Sequence, residues 1–562
     1  MRRGKMPHAR GSVQSAPAWH GVAGQILFRT MSRLDTEGDG ANSAAMLIAI
    51  VHYHLNRGGV TQVIANHLRA LDKHAALRGE VRVVVIHGGP CLGWDDCLSD
   101  VAGLDYEVHA VPELAYDGDR PREPHALAAR LRSLLVQADG SSESAVVHVH
   151  NHSLGKNTAL AGALAELATE GWPLLLQIHD FAEDFRPENY QRLRAAWRDG
   201  AEPGWPAALY PQAAHVHYAV LNQRDARILA AAGVAAERLH VLPNPVGDPG
   251  PLPPREPVRH ELAGRFGVPE DRPLLLYPIR GIRRKNLGEA LLWSALARGD
   301  WQLGVTLPPL NPVERPSYDR WKSLAASLAL PIAFEVGGQG GLPYAENLAA
   351  ADRMLTTSVA EGFGLVFLEA WLVGKMLIGR DLPEITADFR AAGLHLDDLR
   401  PRLDVPLEWI GAADWQNQIE RAYGETLARF GRRLPPPAEF RRAVDELAVD
   451  GLVDFGSLVS RHQQQVIEQV AGSDERRRQL LHLNGWIETA LQPGRSCQEV
   501  VDENAAVVRR AYSLEACGRR LGDLYRAVAG SPRVASVQPL HAERVLDEFL
   551  RLARFQPIRI ES

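Results

Sequence analysis

Short apolar segments alternate with alanine- and leucine-rich stretches twice along this chain, and a proline-rich segment, Gly247 to Pro257 (GDPGPLPPREP), separates the two series. The first series runs through Met46–His54, Val81–Ile86, Ala145–His150, Leu174–Ile178 and Val216–Leu221. The second runs through Leu274–Ile279, Gln302–Thr306, Ile332–Val336, Met354–Thr357 and Met376–Ile378. Apolar runs this short and continuous read as strands buried on both faces, and their alternation with helices implies parallel sheets covered on each side. The expected class is α/β: two Rossmann-like, doubly wound domains facing a central cleft, residues 46–246 and 258–535, joined by a linker at 247–257. A length of 562 residues and an apolar content of 46 % are ample for two cores.

The sharpest local feature lies in the second series. In Thr357–Trp371, TSVAEGFGLVFLEAW, Glu361 and Glu369 stand on either side of a turn that carries Gly362 and Gly364. Residues 352–357 read as a short buried strand and Leu365–Val373 as an apolar helix, so the turn opens a helix. Free N–H groups and a partial positive charge at a helix start suit a diphosphate, and glycine lets it come close. A hydrolytic carboxylate pair needs its groups ~5–9.5 Å apart, whereas eight residues at helical rise span roughly 12 Å. That reach suits gripping two ends of one ligand, a sugar and a ribose joined through a diphosphate. Read alone, Glu361 is a loop residue and Glu369 a solvated helix residue.

Other segments carry chemistry of the same kind. Leu274–Asn286 (LLLYPIRGIRRKN) is a strand followed by Arg280 and Lys285. Cations fixed there would stabilise the charge that grows on a departing diphosphate, although Arg283 and Arg284 also allow a plain solvated basic loop. Near the start, the strand Met46–His54 leads through Asn56-Arg57-Gly58-Gly59 into a helix, Val60–Leu71, with Val60, Val63, Ile64, Leu68 and Leu71 on one face. A glycine pair between a first strand and its helix is a phosphate-approach loop. Pro173–Phe181 (PLLLQIHDF) brings His179 and Asp180 to the carboxyl end of a strand, the edge that faces the ligand crevice in open α/β sheets. Val241–Val246 (VLPNPV) closes the first series.

In this order the segments resemble retaining glycosyltransferases of the GT-B fold, family four in particular, whose signature is E-x7-E. The resemblance covers about Met46–Ala392 and resumes at about Glu499–Ala527. It implies that Glu361 holds sugar hydroxyls, Glu369 holds the ribose, and the backbone around Phe363, Gly364 and Leu365 meets sugar and phosphates. Gly58 and Gly59 would lie against the donor phosphates, Arg280 and Lys285 would stabilise the leaving diphosphate, and His179 would lie near the transferred sugar. His150, Asn151, Lys156 and Asp180 would line the acceptor side. The same resemblance implies a nucleotide-diphosphate sugar as co-substrate, a carbohydrate or sugar-phosphate acceptor, and no metal or other cofactor. A nucleotide-sugar epimerase or hydrolase on the same architecture, or a noncatalytic nucleotide-sugar-binding scaffold, remain alternatives.

The chain departs from the family pattern in two places. After the E-x7-E helix the run is GKMLIGRDLPEI, with Met376 for the usual proline, Asp381-Leu382 for the usual glycine pair, and Glu384 as the equivalent acid. Residues 393–498 form a stretch without counterpart, read as an inserted helical subdomain that shapes the acceptor site, acts as a lid or makes a subunit contact. Residues 536–562 read as a C-terminal helix and tail, and residues 1–45 as a disordered extension.

What remains is mostly exclusion. In AVVHVHNH (145–152), His148, His150 and His152 alternate, and histidines so spaced on one strand face can bind a metal. No carboxylate motif accompanies them. A net charge of −6 gives no general attraction to nucleic acid. Cys91, Cys97, Cys497 and Cys517 form neither CxxC pairs nor a dense framework, which excludes a zinc ribbon and a disulfide scaffold and points to a reducing cytoplasm. No window approaches the roughly 20 apolar residues of a membrane span, leaving peripheral contact as the one membrane association compatible with the chain.

Overall fold

The computed structural model describes residues 45–74, 79–94, 98–118, 122–139, 145–197, 204–492 and 498–561. The expected extension at 1–45 thus falls almost entirely outside the described residues, as do Cys97 and Cys497. Two parallel sheets dominate. The first has seven strands in the spatial order Tyr106–Ala110, Val81–His87, Met46–His52, Ala145–His150, Leu174–Ile178, Val216–Val220, Leu239–Val241. The second has six, ordered Ile332–Phe334, Gln302–Leu307, Leu274–Arg280, Arg353–Thr356, Met376–Arg380, Leu399–Arg400. Their central strands are buried along nearly their whole length, the physical reason their sequences are continuous apolar runs rather than alternating ones. Both are doubly wound parallel sheets of Rossmann-like type.

Strand order fixes where ligands can sit. In the first sheet the direction of winding reverses between Met46–His52 and Ala145–His150, and in the second between Leu274–Arg280 and Arg353–Thr356. At such a reversal the two connections leave the sheet on opposite faces and open a crevice beyond the strands' carboxyl ends. The segments that emerge there are His52–Gly59 and Asn151–Lys156 in one sheet, and Gly281–Lys285 and Thr357–Glu361 in the other.

Residues 393–498 are more than a helical insertion. Besides the helices Ala412–Arg429, Pro437–Asp445, Ser460–Gly472, Asp474–Leu483 and Gly485–Leu491, they contain a small antiparallel sheet of Asp404–Pro406, Leu452–Asp454 and Ala448–Val449. Strands of two or three residues leave no periodicity to read in sequence. The insertion packs Ser460–Gly472 on the second-domain helix Leu287–Ala297 and also reaches the first domain. There Arg429 pairs with Glu188 and its carbonyl accepts from Gln191, while Phe430 packs against Tyr190 with ring centroids 5.3 Å apart.

The chain also returns to the first domain near its end. Leu514–Ala529, grouped by sequence with the second domain, packs along Gly59–Lys73. Gln538–Pro539 then pairs with Pro211–Gln212, and the helix Ala542–Phe549 packs on Gln223–Ala232. Of the segment read as linker, 247–254 has no regular secondary structure, and a helix begins at Arg255.

A buried ion cluster fastens the insertion to the second sheet. Arg380, the last residue of its strand, donates from Nε to Glu289 at 2.8 Å and from both Nη atoms to Asp454 at 3.0 and 2.8 Å, with all three side chains nearly or fully buried. A side chain at Gly456 would collide with the Arg380 guanidinium at 2.6 Å, so that position accepts only glycine while the cluster stands. Arg380→Met strips the cation from two buried carboxylates and is expected to cost on the order of 3–5 kcal/mol, read as a lower urea midpoint. An unchanged midpoint would mean the cluster contributes nothing.

Candidate active site

The first crevice is organised by Asn151. The strand Ala145–His150 ends there because Asn151 adopts a left-handed conformation, φ 61°, a state that asparagine tolerates better than most residues. Its side-chain oxygen accepts from the backbone N–H of His179 at 2.7 Å and of Asp180 at 3.0 Å, joining two neighbouring strand ends. Asp180 is further held by Arg186 at 2.5 Å. His179 is buried, its Nε2 lies 2.9 Å from His150 Nδ1, and burial pushes its pKa down to about 4, so the ring is neutral at pH 7. Gly58 and Gly59 are exposed at the start of the helix Gly59–Lys73, and a Cβ on Gly59 would meet nothing within 4 Å. The helix start thus opens onto free space.

The second crevice is organised by Glu361, 6 % exposed. Burial alone would raise its pKa, but Lys285 and Arg284 reverse the effect and hold the carboxyl below its usual range. Lys285 bonds one carboxylate oxygen and Arg284 donates to the other at 3.1 Å. The Lys285 ammonium is therefore engaged with Glu361, while Arg280, at the end of its strand, makes one long bond to the Pro308 carbonyl at 3.3 Å. Glu369 lies half-buried on the short helix Val366–Leu372. Burial raises its pKa, and the Tyr344 hydroxyl donates to it at 3.3 Å. Phe363 points into the core against Phe389 and Tyr512, leaving its backbone as the part that faces the turn. Leu365 is half-buried at the helix start, and Gly364 has φ +85°, with no room for a Cβ beside the Phe367 ring at 2.6 Å.

The two crevices meet. A Cβ on Gly362 would stand 2.9 Å from the His179 carbonyl, and Asn222 of the first domain donates to the Gly362 carbonyl at 2.9 Å. His179 and Glu361 thus belong to one interdomain site. The residue after Glu361 is glycine because the opposite backbone leaves no space for anything larger.

Histidines form a second layer behind this contact. His148 and His150 stack at 4.4 Å, and His67, from the helix Gly59–Lys73, stacks on His148 at 5.6 Å. His67, His148 and His150 offer nitrogens within 4.8 Å of one another. His152 is not on that face: the left-handed turn at Asn151 sends it the other way, to the Leu209 carbonyl at 2.9 Å. His148 has both ring nitrogens engaged, by Tyr525 and by Gln177, each at 2.9 Å. A metal there would have to displace one of these bonds.

Four participants escaped the sequence. Sequence gives Arg284 no role beyond a basic loop, and only the fold shows it facing Glu361. Tyr344, Asn222 and His67 lie far in sequence from the residues they serve and match no spacing rule.

Residues 58–245 match the family model described as a glycosyl transferase 4-like domain. Over 351 residues the chain is 29 % identical to the mannosylglucosyl-3-phosphoglycerate synthase of Petrotoga mobilis. The match takes in 61 % of this chain and spans 66 % of that protein's length. Among solved structures, Anabaena HepE in complex with UDP-glucose is similar at TM-score 0.48 and 14 % identity, over 85 % of this chain and 98 % of that one. The catalytic domain of starch synthase IV from Arabidopsis thaliana, bound to ADP and acarbose, is similar at TM-score 0.48 and 14 % identity, over 86 % and 100 %. No helix among the described residues is long and apolar enough to cross a membrane.

Burial lowers the pKa of His52, His67, His148, His150 and His179, to about 3 for His52 and His148. The folded state therefore binds fewer protons than the unfolded chain below pH ~6.5. Their contribution to stability is fully present above that pH and is lost as pH falls toward about 3, at up to ~1.4 kcal/mol per pH unit for each group. The melting temperature is expected to fall over this window, and His67→Phe to flatten the fall. An identical pH profile in that variant would show that the cluster does not govern acid stability.

Proposed function

We propose that this chain, a relative of the family-four glycosyltransferases through its glycosyl transferase 4-like domain at 58–245, transfers a sugar from a nucleotide-diphosphate sugar to a hydroxyl acceptor with retention and without a metal. The observation that carries this reading is the meeting of Glu361, flanked by Lys285 and Arg284, with His179 across Gly362 at the crevices of two parallel sheets. The relative's product, a mannosylglucosyl-3-phosphoglycerate by its name, supports a hexosyl donor and an anionic acceptor.

In this reading the bond between the anomeric carbon and the diphosphate breaks, and the acceptor oxygen bonds the same carbon from the same face. Its proton passes to the departing diphosphate oxygen. Glu361, Asp180 and His179 do not compete for that proton: Glu361 is bound to two cations, Asp180 to Arg186, and His179 is held by His150. When the donor enters, Lys285 turns from Glu361 to the diphosphate alongside Arg280, which frees the Glu361 carboxylate for the sugar hydroxyls. Glu369 exchanges the Tyr344 hydroxyl for the ribose.

Arg280→Ala and Lys285→Ala are expected to lower kcat by about 10²–10³, with a smaller change in donor KM, as contacts made chiefly in the transition state do. Unchanged turnover in both variants excludes the assignment. Glu369→Ala is expected to raise donor KM and spare kcat. A melting-temperature panel of UDP, GDP and ADP sugars, run with and without EDTA, reads donor binding directly. A shift that needs added metal contradicts the metal-free mechanism, and donor consumption that ignores acceptors favours an epimerase or hydrolase.

A further inference from the structure

Beside the Asn151 turn lies a group of cations with too few anions. Lys156 follows Gly155 in the loop that leaves the first crevice, and among the described residues its ammonium has no carboxylate within ion-pair distance. It stands 5.5 Å from the centroid of the Tyr116 ring. Arg192 has no acidic partner either and donates to the Gly155 carbonyl at 3.3 Å, one residue from Lys156. Arg186 is paired with Asp180 at 2.5 Å by one guanidinium nitrogen and donates to the Phe181 carbonyl at 2.8 Å with the other. The other nearby acids are committed. Asp117 accepts from the Thr158 N–H and hydroxyl at 2.8 and 2.9 Å, and Asp184 binds Arg559 at 2.9 Å. Burial, followed by repulsion from Arg192 and Arg186, holds the Lys156 pKa below its usual value, so an added anion would relieve a strain already present.

The loop is built to hold this arrangement. Asn189 donates to the Leu154 carbonyl at 2.9 Å, and the Asp117 N–H donates to the Lys156 carbonyl at 2.8 Å. Tyr116, 44 % exposed, is propped edge-on by Tyr53 and His54 at 5.5 and 5.3 Å and bonded to His54 at 3.1 Å. An exposed, braced aromatic ring beside cations is a platform for a sugar face whose substituent is charged.

Building on the proposed transferase reading, we infer that Lys156, Arg192 and Arg186 bind the phosphate of a phosphorylated acceptor whose sugar ring lies on Tyr116. The cluster selects the acceptor by charge and leaves the donor to the second domain. Because these cations sit near the surface, the contribution is salt-dependent.

The test uses the full chain and 3-phosphoglycerate as the phosphate probe, with glycerol as the neutral control. In the wild type a nucleotide sugar and 3-phosphoglycerate are each expected to raise the melting temperature, and glycerol at the same concentration to leave it unchanged. Lys156→Gln and Arg192→Gln are expected to abolish the 3-phosphoglycerate shift and retain the nucleotide-sugar shift, which also reports that they fold. Lys156→Arg is expected to keep both shifts. In transfer assays Lys156→Gln is expected to raise KM for a phosphorylated glucoside at least tenfold over its dephosphorylated counterpart. A nucleotide-sugar shift with no 3-phosphoglycerate shift, or one that survives both Gln substitutions, overturns the phosphate site alone. Loss of every nucleotide-sugar response in the wild type overturns the transferase reading itself.

Discussion

A carboxylate as deeply buried as that of Glu361 persists as an anion only because two cations face it, and most of the cleft follows from that requirement. The desolvation of three charges is repaid only with close geometry and further hydrogen bonds. Lys285 and Arg284 must therefore be delivered together by the short turn after the strand Leu274–Arg280, and Glu361 by the turn after Arg353–Thr356. Thr357 and Tyr277 both bond to the Lys285 carbonyl, tying the two turns to each other. A ligand that offers Lys285 a diphosphate changes the partners of this cluster without leaving a charge bare.

The insertion and the C-terminal segments serve the same arrangement from outside. Arg380, Glu289 and Asp454 bolt the small antiparallel sheet to the strand beside Glu361. Arg559 reaches Asp184, and Arg554 grips Glu384 with bonds as short as 2.7 Å, both at the rim of a cavity of about 410 Å³ that Glu361 also lines. Several of its acidic and basic side chains are paired with each other, Arg554 with Glu384, Arg559 with Asp184 and Arg380 with Asp454.

The two sheets were legible in sequence because parallel strands covered on both faces must be apolar throughout. The main strands read there coincide with those of the structure to within a few residues. The glutamates, the cation pair and the glycine loops were legible as spacing, since all but Glu369, which sits on the helix Val366–Leu372, lie at or close to a strand end. What stayed hidden is what spacing cannot encode. Gly362 reads as a flexible turn residue, and only the His179 carbonyl opposite shows why a side chain is excluded. His152 reads as continuing a strand face, because the left-handed turn at Asn151 is invisible in a run of apolar and histidine residues. The antiparallel sheet at 404–454 and the return of Leu514–Ala529 to the first domain rest on tertiary contacts made by segments too short or too far apart to show a period.

The close approach of Gly362 to His179 has a kinetic side. Gly362 is packed against the His179 carbonyl, and Asn222 donates to the Gly362 carbonyl. In the proposed transferase reading, a donor that spans from Glu361 to His179 must wait for that contact to part. Association is then gated by opening, with an observed rate that climbs with donor concentration only until it reaches the opening rate and then levels off. In that reading release of the spent nucleotide needs the same parting, so opening would bound turnover as well as the pace of entry.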